Sequence, residues 1–334
     1  MKKIVLIIFL IIIFVITAFI LLIYSNYNSK IEKDNPTIIE IEYGTSMDNI
    51  VELFGKEGYF QPELIYKQIF KYTAKTKKKY ILAGVYEIPN SISNKELIEK
   101  LFTNKLIKQN KLQIIEGMNI YQIGEVLNKE FQINKDDYLK LVKSTEFCHK
   151  LGLKAPTLEG YLAPDTYFFQ KINLEELLTF LVNRQRDILK SIHSNNIQNN
   201  LSEYQLLILA SIIQSEAANT EEMPIISSVY HNRLRIGMRL QADPTILYDI
   251  YPRTSIRKSD LTRTTPYNTY LINGLPPTPI NSPSKEAIYA AANPSNTNYL
   301  YFVLECENCK KHKFASNYTN HQKNVIEYRK SINK

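Results

Sequence analysis

Glu216 is the residue of this sequence whose setting most clearly suggests chemistry. The residues before it predict a helix, and at roughly 100° per residue three apolar side chains share its side of that helix: Leu209, Ile212 and Ile213. Burial disfavours the charged form of a carboxyl group, so a group held there tends to keep its proton near neutral pH. The sequence therefore predicts a general acid at this position. The alternative is that Glu216 lies at the frayed end of the helix and meets water.

Two helices are predicted around this carboxyl group. Ser202 followed by Gln205 forms the pattern of a capping box that starts the helix of Glu216. Pro224 and Gly237 mark the beginning and the end of the next helix. Each proline from Pro244 onwards favours an extended backbone at the residue before it, which predicts irregular turns rather than further helix.

A second group of polar residues precedes these helices. Glu159, Tyr161, Asp165 and Tyr167 bring two carboxyl groups and two phenols within nine residues. The chain has 23 tyrosines and no tryptophan, and aromatic faces with polar rims suit the alternating CH and OH surfaces of sugars. This group indicates a carbohydrate site. For any single tyrosine, the alternative is a core position in which Tyr replaces Trp.

Five segments of the sequence resemble a known family, the endolytic murein transglycosylases of the YceG-like type. They are LEGYLAPDTY (158–167), ASIIQSE (210–216), VYHNRLRIGMRLQADPT (229–245), PYNTYLINGLPPTPI (266–280) and NPSNTNYLYFV (293–303). Together with an apolar N-terminal segment and a LysM-like module before the catalytic domain, the resemblance covers nearly the whole chain. It implies a mixed α/β (α+β) fold.

The resemblance also implies an activity. Members of this family cut peptidoglycan glycan strands between MurNAc and GlcNAc without water and leave a 1,6-anhydroMurNAc end. Their essential glutamate aligns with Glu216. Family members commonly carry a second glutamate where this chain has Gln214, and this departure leaves Glu216 alone to act. The resemblance implies no metal and no organic cofactor.

A single carboxyl group is enough for such a reaction. The neutral acid would protonate the glycosidic oxygen, and the carboxylate would then take the proton from the C6 hydroxyl that attacks C1. A hydrolase normally needs a second carboxylate to direct water or to form a covalent intermediate. Glu159, Asp165 and Asp243 are candidates for that partner, so the residues alone also allow a lysozyme-like outcome.

Further motif residues are expected to contact the substrate. Their amide and hydroxyl groups would bind sugar hydroxyls and N-acetyl groups. Arg233 would bind a lactyl or peptide carboxylate, or else form an ion pair inside the domain. Asp165 and Asp243 would contact substrate or only cap turns, and Glu159 would support the site by hydrogen bonding. The full set of expected substrate-binding residues is Glu159, Tyr161, Asp165, Tyr167, Asn232, Arg233, Gln241, Asp243, Tyr267, Asn268 and Thr269.

The N-terminal segment predicts an uncleaved membrane anchor, with a cleaved signal peptide as the alternative. Residues 5–23 are apolar apart from Thr17, which is long enough to cross a bilayer as one helix. Lys2 and Lys3 precede this segment, so the positive-inside rule places the N-terminus in the cytoplasm and the catalytic domain outside the inner membrane, in the periplasm. The net charge is +8, but the basic residues are dispersed, and an extracytoplasmic location argues against nucleic acid as a partner. The expected partners are peptidoglycan glycan strands and, from the resemblance, peptidoglycan synthases.

Four regions are expected along the chain. They are a cytoplasmic stub with the anchor (1–25), a polar tether (26–36), a LysM-like module with adjoining strand and helix units (37–131) and the catalytic domain (132–334). Cys306 and Cys309 would form a disulfide outside the cytoplasm or remain reduced thiols, and a zinc site would need His312 and His321 as further ligands. A different interpretation of the whole chain is a non-catalytic scaffold that binds glycan.

Overall fold

The structure is a computed structural model that describes residues 2–42, 44–108, 110–169, 173–193, 201–307 and 309–332. The chain divides into two compact units, Met1–Asn110 and Lys111–Lys334. Both contain helices and short strands, which confirms the predicted mixed α/β class.

The first unit begins with one long apolar helix. Its elements are α1 (Lys2–Asn28), β1 (Lys30–Glu32), β2 (Thr37–Ile41), α2 (Met47–Lys56), α3 (Glu63–Lys77), β3 (Gly84–Ile88), β4 (Ser91–Ser93) and α4 (Asn94–Phe102). β2 pairs antiparallel with β3, and β1 pairs antiparallel with β4. The part of α1 from Leu6 to Asn28 is long and apolar enough to cross a membrane.

The segment expected to be a tether is built into this first unit. Asn94, the first residue of α4, donates from Nδ2 to Oδ1 of Asn26 at 3.2 Å, and the hydroxyl of Tyr66 donates to the same oxygen at 2.7 Å. Directly after α1, Lys30 lies opposite Ser93 in the β1–β4 pair. The polar composition that suggested a linker therefore belongs to a short strand that is hydrogen-bonded to its neighbour.

The second unit carries Glu216 and contains most of the helices. Its helices are α5 (Ile120–Phe131), α6 (Lys135–Val142), α7 (Thr145–Lys150), α8 (Leu174–His193), α9 (Glu203–Glu216), α10 (Met223–Arg235), α11 (Asp243–Asp249), α12 (Lys285–Ala292) and α13 (Tyr318–Ile332). β5 (Asn110–Ile114) pairs with β6 (Asp165–Phe169), and β7 (Tyr301–Leu304) pairs antiparallel with β8 (His312–Ala315). Short 3-10 helices span Thr220–Glu222 and Lys258–Thr262.

The core of the second unit surrounds α9. Each residue from 206 to 213 is buried, so this part of the helix is surrounded by protein on all sides rather than on one face. α12 packs against it, and the small buried side chains of α12, which include Ala287, Ala290 and Ala291, allow neighbouring helices to approach closely. Leu112 and Leu127 belong to the same core. The compact units therefore divide well before the boundary expected at residue 131.

The local signals at the ends of α9 and α10 are confirmed. Ser202 and Gln205 form the predicted capping box, and Gly237 follows α10 with a φ of +68°. The expectation of irregular turns from Pro244 onwards is wrong at its start, because Pro244 lies in the first turn of α11. In that position a proline loses no hydrogen bond that the helix would otherwise make.

Candidate active site

Glu216 is the last residue of α9, at the point where this helix leaves the core. Its side chain is half-buried and lines a groove of about 270 Å³. The backbone becomes extended at Ala217, so the helix does end here, as the frayed-end alternative requires. The carboxyl group nevertheless meets other side chains rather than open water.

Tyr230 is the side chain that orients this carboxyl group. Its hydroxyl donates a hydrogen bond of 3.2 Å to Oε1 of Glu216. Tyr230 lies on α10 with 1% of its surface exposed, and its ring meets the ring of Phe302 edge to face at 6.0 Å. Burial and the neighbouring carboxyl group hold the pKa of Tyr230 well above its ordinary value. The tyrosine therefore stays a neutral donor with a fixed position.

The surroundings of Glu216 favour its protonated form. They raise its pKa to about 7, and burial is the largest cause. The negative charge of Asp243 also raises this pKa, whereas the hydrogen bond from Tyr230 and the positive charge of Arg233 lower it. At neutral pH a large part of the Glu216 population carries a proton, as a general acid requires.

The groove around Glu216 has aromatic walls and a few polar groups. Of the expected substrate-binding residues, it brings together Arg233, Gln241 and Asp243. The other lining residues are Tyr230, Tyr270, Tyr301, Phe302, Tyr318 and His321. This composition is typical of a groove that binds sugar rings.

Arg233 is bound to the backbone. Its Nε donates to the carbonyl of Leu300 at 2.7 Å, and Nη1 donates to the carbonyl of Leu240 at 2.6 Å. The guanidinium carbon also lies 5.5 Å from the centre of the Tyr301 ring. Among the described residues Arg233 forms no ion pair, and its contact with a substrate carboxylate stays a prediction. Its backbone bonds hold two walls of the groove together, and its guanidinium adds a positive charge to them.

Gln241 and Asp243 present their side chains at the open edge of the groove. Both are exposed. Gln241 has a φ of +49°, and its backbone N–H donates to the carbonyl of Thr269 at 3.0 Å. A left-handed backbone is uncommon for a residue with a side chain and often occurs at functional sites. Asp243 accepts a hydrogen bond of 2.6 Å from the hydroxyl of Tyr270.

Three expected substrate-binding residues lie inside the protein next to this groove. The amide of Asn232 donates to two backbone carbonyls, and the amide of Asn268 donates to three. Thr269 is fully buried, and its hydroxyl accepts a hydrogen bond from the N–H of the residue after Gln241. Because these polar groups are already used within the protein, they shape the loops of the groove and do not face it.

The remaining expected residues do not line the groove of Glu216. Glu159 is fully buried and accepts a backbone N–H at the start of α5 at 3.2 Å. Tyr161 and Tyr167 are buried in the core, and Tyr267 bonds the hydroxyl of a neighbouring threonine at 2.8 Å. Asp165 is exposed at the first position of β6. For these tyrosines the core alternative describes the structure.

Several lining residues are missing from the set that the sequence predicted. Tyr230 could have been predicted from the sequence, since it lies three residues before Arg233 and therefore on the same face of a predicted helix. No sequence pattern pointed to Tyr318 and His321 as groove residues, because α13 lies outside every matching segment and reaches the groove only through the tertiary fold.

A second groove, of about 460 Å³, adjoins the first. It is lined by Ser215, Glu216, Ala217, Ala218, Phe302, Val303, Leu304 and His312. The two grooves share Glu216 and Phe302. A larger cavity, of about 680 Å³, is lined by residues that include Ser228 and Arg235, and none of its described lining residues carries a carboxyl group.

Cys306 and Cys309 form a disulfide in the loop between β7 and β8. They are therefore not available as thiolate ligands for zinc. Among the described residues, no group of three His, Cys, Asp or Glu side chains could hold a metal ion.

Comparison with known proteins identifies the family. A family model described as YceG-like matches residues 39–327. The chain belongs to the YceG-like family. This confirms the resemblance of the sequence motifs, and it places the groove of Glu216 within the part of the chain that the YceG-like family shares.

Individual relatives have similar chains. A protein of Bacillus subtilis (strain 168) called endolytic murein transglycosylase is 28% identical over 294 residues, which cover 82% of this chain and 81% of that protein. A protein of the same name from Streptococcus pneumoniae serotype 2 is 28% identical over 322 residues, but this chain covers only 58% of its length. The crystal structure of a putative YceG-like protein from Listeria monocytogenes has a TM-score of 0.61 and 29% identity, covering 87% of this chain and 99% of that chain.

Proposed function

We propose that this protein is a lytic transglycosylase of the inner membrane that cuts nascent peptidoglycan strands internally, between MurNAc and GlcNAc, and leaves 1,6-anhydroMurNAc ends. Such cuts would end the elongation of a strand. The observation that carries the proposal is the position of Glu216, a carboxyl group with a pKa of about 7 that lines both grooves. The names of the relatives support the same activity.

A strand that is cut internally must extend to both sides of the reacting group. The groove of about 270 Å³ beside Arg233 and the groove of about 460 Å³ beside His312 meet at Glu216 and Phe302. This arrangement supports internal cleavage, because sugar units on either side of the bond have space against the protein.

The chemistry would use one carboxyl group twice. Glu216 gives its proton to the glycosidic oxygen as the bond from that oxygen to C1 breaks. The resulting carboxylate then takes the proton of the C6 hydroxyl as its oxygen bonds to C1. The product is cyclic, no water is added, and Glu216 regains its proton. Tyr230 keeps the carboxyl group in place throughout, because its hydroxyl can donate to Oε1 in either charge state.

A hydrolytic outcome would need a second carboxylate near the bond. Of the candidates, Asp243 lines the groove, whereas Glu159 is buried in the core and Asp165 lies at β6. Asp243 is already bound by the hydroxyl of Tyr270 at 2.6 Å. Analysis of the reaction products separates this alternative from the lytic reaction.

The rest of the chain would hold this site near newly made strands. α1 would be the membrane anchor, with Lys2 and Lys3 on the cytoplasmic side and the second unit in the periplasm. An oxidising compartment agrees with the disulfide of Cys306 and Cys309. The first unit would act as a LysM-like module, which its order β2, α2, α3, β3 supports, and peptidoglycan synthases would be partners.

Digestion of purified glycan strands tests the proposal. The full chain in detergent should release fragments with anhydro ends, as shown by their masses, and Glu216→Gln should release none. Glu221→Gln is the matched control, because it changes an exposed carboxyl group five residues away in the same way. Fragments that have gained water would mean hydrolysis, and strands left intact by the wild type would favour a glycan-binding scaffold.

A further inference from the structure

The second groove contains a histidine whose ring is held by a buried carboxylate. Oε1 of Glu222 accepts the backbone N–H of His312 at 2.8 Å, and Oε2 lies 2.8 Å from ring atom Nδ1 of the same residue. Of the two side chains, 7% of His312 and 11% of Glu222 is exposed. The ring of Phe302 meets the imidazole edge to face at 5.3 Å. These contacts fix the orientation of the imidazole.

The carboxylate also decides which ring nitrogen carries the proton. A carboxylate only accepts hydrogen bonds, so Nδ1 of His312 is the donor, and in the neutral imidazole Nε2 keeps its lone pair. Within the described part of the chain, Nε2 makes no hydrogen bond. Because His312 lines the groove together with Glu216, this lone pair is available to a ligand there.

We propose that His312 contacts the substrate: its Nε2 accepts a hydrogen bond from a hydroxyl or an acetamido N–H of the glycan in the second groove. Glu222 is the positioning residue that fixes the ring and its tautomer. This inference rests on the proposed function, since it requires a glycan strand at Glu216. It adds a contact on the side of the scissile bond opposite to Arg233, Gln241 and Asp243.

Two substitutions of His312 distinguish a contact with substrate from a purely structural role, in which the residue only bonds Glu222. In His312→Asn, the amide takes the place of Nδ1 and keeps the bond to Glu222, but the atom that would meet the glycan is gone. In His312→Gln, the amide reaches the place of Nε2 and the bond to Glu222 is lost. A contact with substrate predicts that His312→Asn lowers kcat/KM more than His312→Gln does, whereas a purely structural role predicts the reverse.

The measurement is kcat/KM of the full chain in detergent on purified glycan strands, with the melting temperature of each variant. We expect His312→Asn to have the melting temperature of the wild type. Its kcat/KM should fall roughly tenfold or more, mainly through a higher KM. The kcat/KM of His312→Gln should lie between that of the wild type and that of His312→Asn. Glu222→Gln should lower kcat/KM as well, because an amide that donates to Nδ1 moves the ring proton to Nε2. Unchanged kcat/KM in a folded His312→Asn would overturn the proposal.

Binding distinguishes this inference from the proposed function. A GlcNAc–MurNAc tetrasaccharide is titrated into Glu216→Gln, with and without His312→Asn, where no cleavage is expected. Weaker binding in the double variant supports the contact even if the wild type fails to cut. Equal binding, or no binding to either protein, contradicts it. If His312→Asn does not fold, Glu222→Gln replaces it in both measurements.

Discussion

At the scale of single residues, the charge state of Glu216 would decide when the proposed reaction can begin. Its pKa of about 7 results mainly from burial, and two neighbours with hydroxyl or carboxyl groups adjust it in opposite directions. Only the protonated form can give a proton to the glycosidic oxygen. The activity of the free enzyme is therefore expected to follow the titration of this group.

We predict that kcat/KM falls above a pH of about 7, by about tenfold per pH unit at high pH. Tyr230→Phe removes a hydrogen bond that lowers the pKa of Glu216, so the fall should begin at a higher pH, and the maximal rate should drop because the carboxyl group is less well oriented. The rate of glycan cleavage between pH 5 and pH 9 measures both effects.

Asp243→Asn is the counterpart, because the negative charge of Asp243 raises the pKa of Glu216. Its removal should move the fall in kcat/KM to a lower pH. If both substitutions moved the profile in the same direction, the charges around Glu216 would not control the reaction.

At the scale of elements, the loop between α7 and β6 supports the helix that carries Glu216. Gly160 in this loop has a φ of +80°, and a Cβ atom at this position would lie 2.6 Å from Cβ of Pro279 and 3.3 Å from Cδ2 of Leu207 on α9. No side chain fits there without a shift of the backbone. The backbone of the loop at Gly160 therefore lies directly against Pro279 and against Leu207 of α9, with no space for a side chain.

We predict that Gly160→Ala lowers the free energy of unfolding by more than about 2 kcal/mol, through both overpacking and a strained backbone. Gly237→Ala is the matched control, since Gly237 also has a positive φ of +68° but nothing within 4 Å of its added Cβ. It should cost about 1 kcal/mol. Chemical denaturation in detergent measures both, and equal losses would mean that the contact with Pro279 does not matter.

The sequence predicts these elements well where the signal is local. The capping box at Ser202 and the proline and glycine at the ends of α10 all act over a few residues, and each is found as predicted. The tether at 26–36 and the turn at Pro244 were predicted from composition and from one proline. The prediction at Pro244 is wrong, and residues 30–32 of the expected tether pair with β4, because the first turn of α11 and this strand pairing both depend on the rest of the fold.

The sequence singled out Glu216, which does line the groove, but it did not predict most of the residues that form the groove walls. Glu216 stood out because a carboxylate follows a long apolar run. Asn268 and Thr269 share a motif with groove residues, yet their polar groups bond the backbone of neighbouring loops. Only the folded chain separates side chains that face a groove from side chains that build it. His321, by contrast, does line the groove, although its helix contains none of the segments that match the family.

At the scale of the whole molecule, buried carboxyl groups link stability to pH. Burial raises the pKa of Glu159 from an ordinary value of 4.5 to about 8, despite hydrogen bonds from the backbone and from Tyr248. Well below pH 4.5 both the folded and the unfolded chain hold the proton of Glu159, and the contribution of this group to the free energy of unfolding is at its largest. As the pH rises towards 8, the unfolded chain releases the proton but the folded chain keeps it, so the free energy of unfolding falls.

We predict that Glu159→Gln makes stability less dependent on pH. Between pH 5 and pH 8 the wild type should lose on the order of 1 kcal/mol per pH unit through this group, with a similar contribution from Glu216 up to its own pKa. The glutamine still accepts the N–H at the start of α5 and does not titrate. Melting temperatures in detergent at several pH values, with the exposed Glu116→Gln as the control, test this. A slope equal to that of the wild type would contradict it.

The connection between α1 and the rest of the first unit is also testable. Asn94 is 1% exposed; its Nδ2 donates to Asn26 and its Oδ1 accepts the N–H of Phe60 at 3.2 Å. An alanine at position 94 leaves the buried N–H of Phe60 without a partner, which costs about 1–3 kcal/mol, and Asn26 keeps only its bond from Tyr66. The segment behind α1 should then open more often.

We therefore expect trypsin to cut Asn94→Ala faster than the wild type after Lys30 and Lys33, by roughly tenfold under native conditions in detergent. Glu99→Ala, an exposed change on the same helix, should leave the rate unchanged. If all three chains were cut equally fast, the chain behind the anchor would move freely, as its polar composition alone suggests. Faster cleavage of Asn94→Ala alone would mean that α1 and the rest of the first unit are joined without a loose linker, so that α1, if it spans the membrane as proposed, would fix the distance of that unit from the membrane.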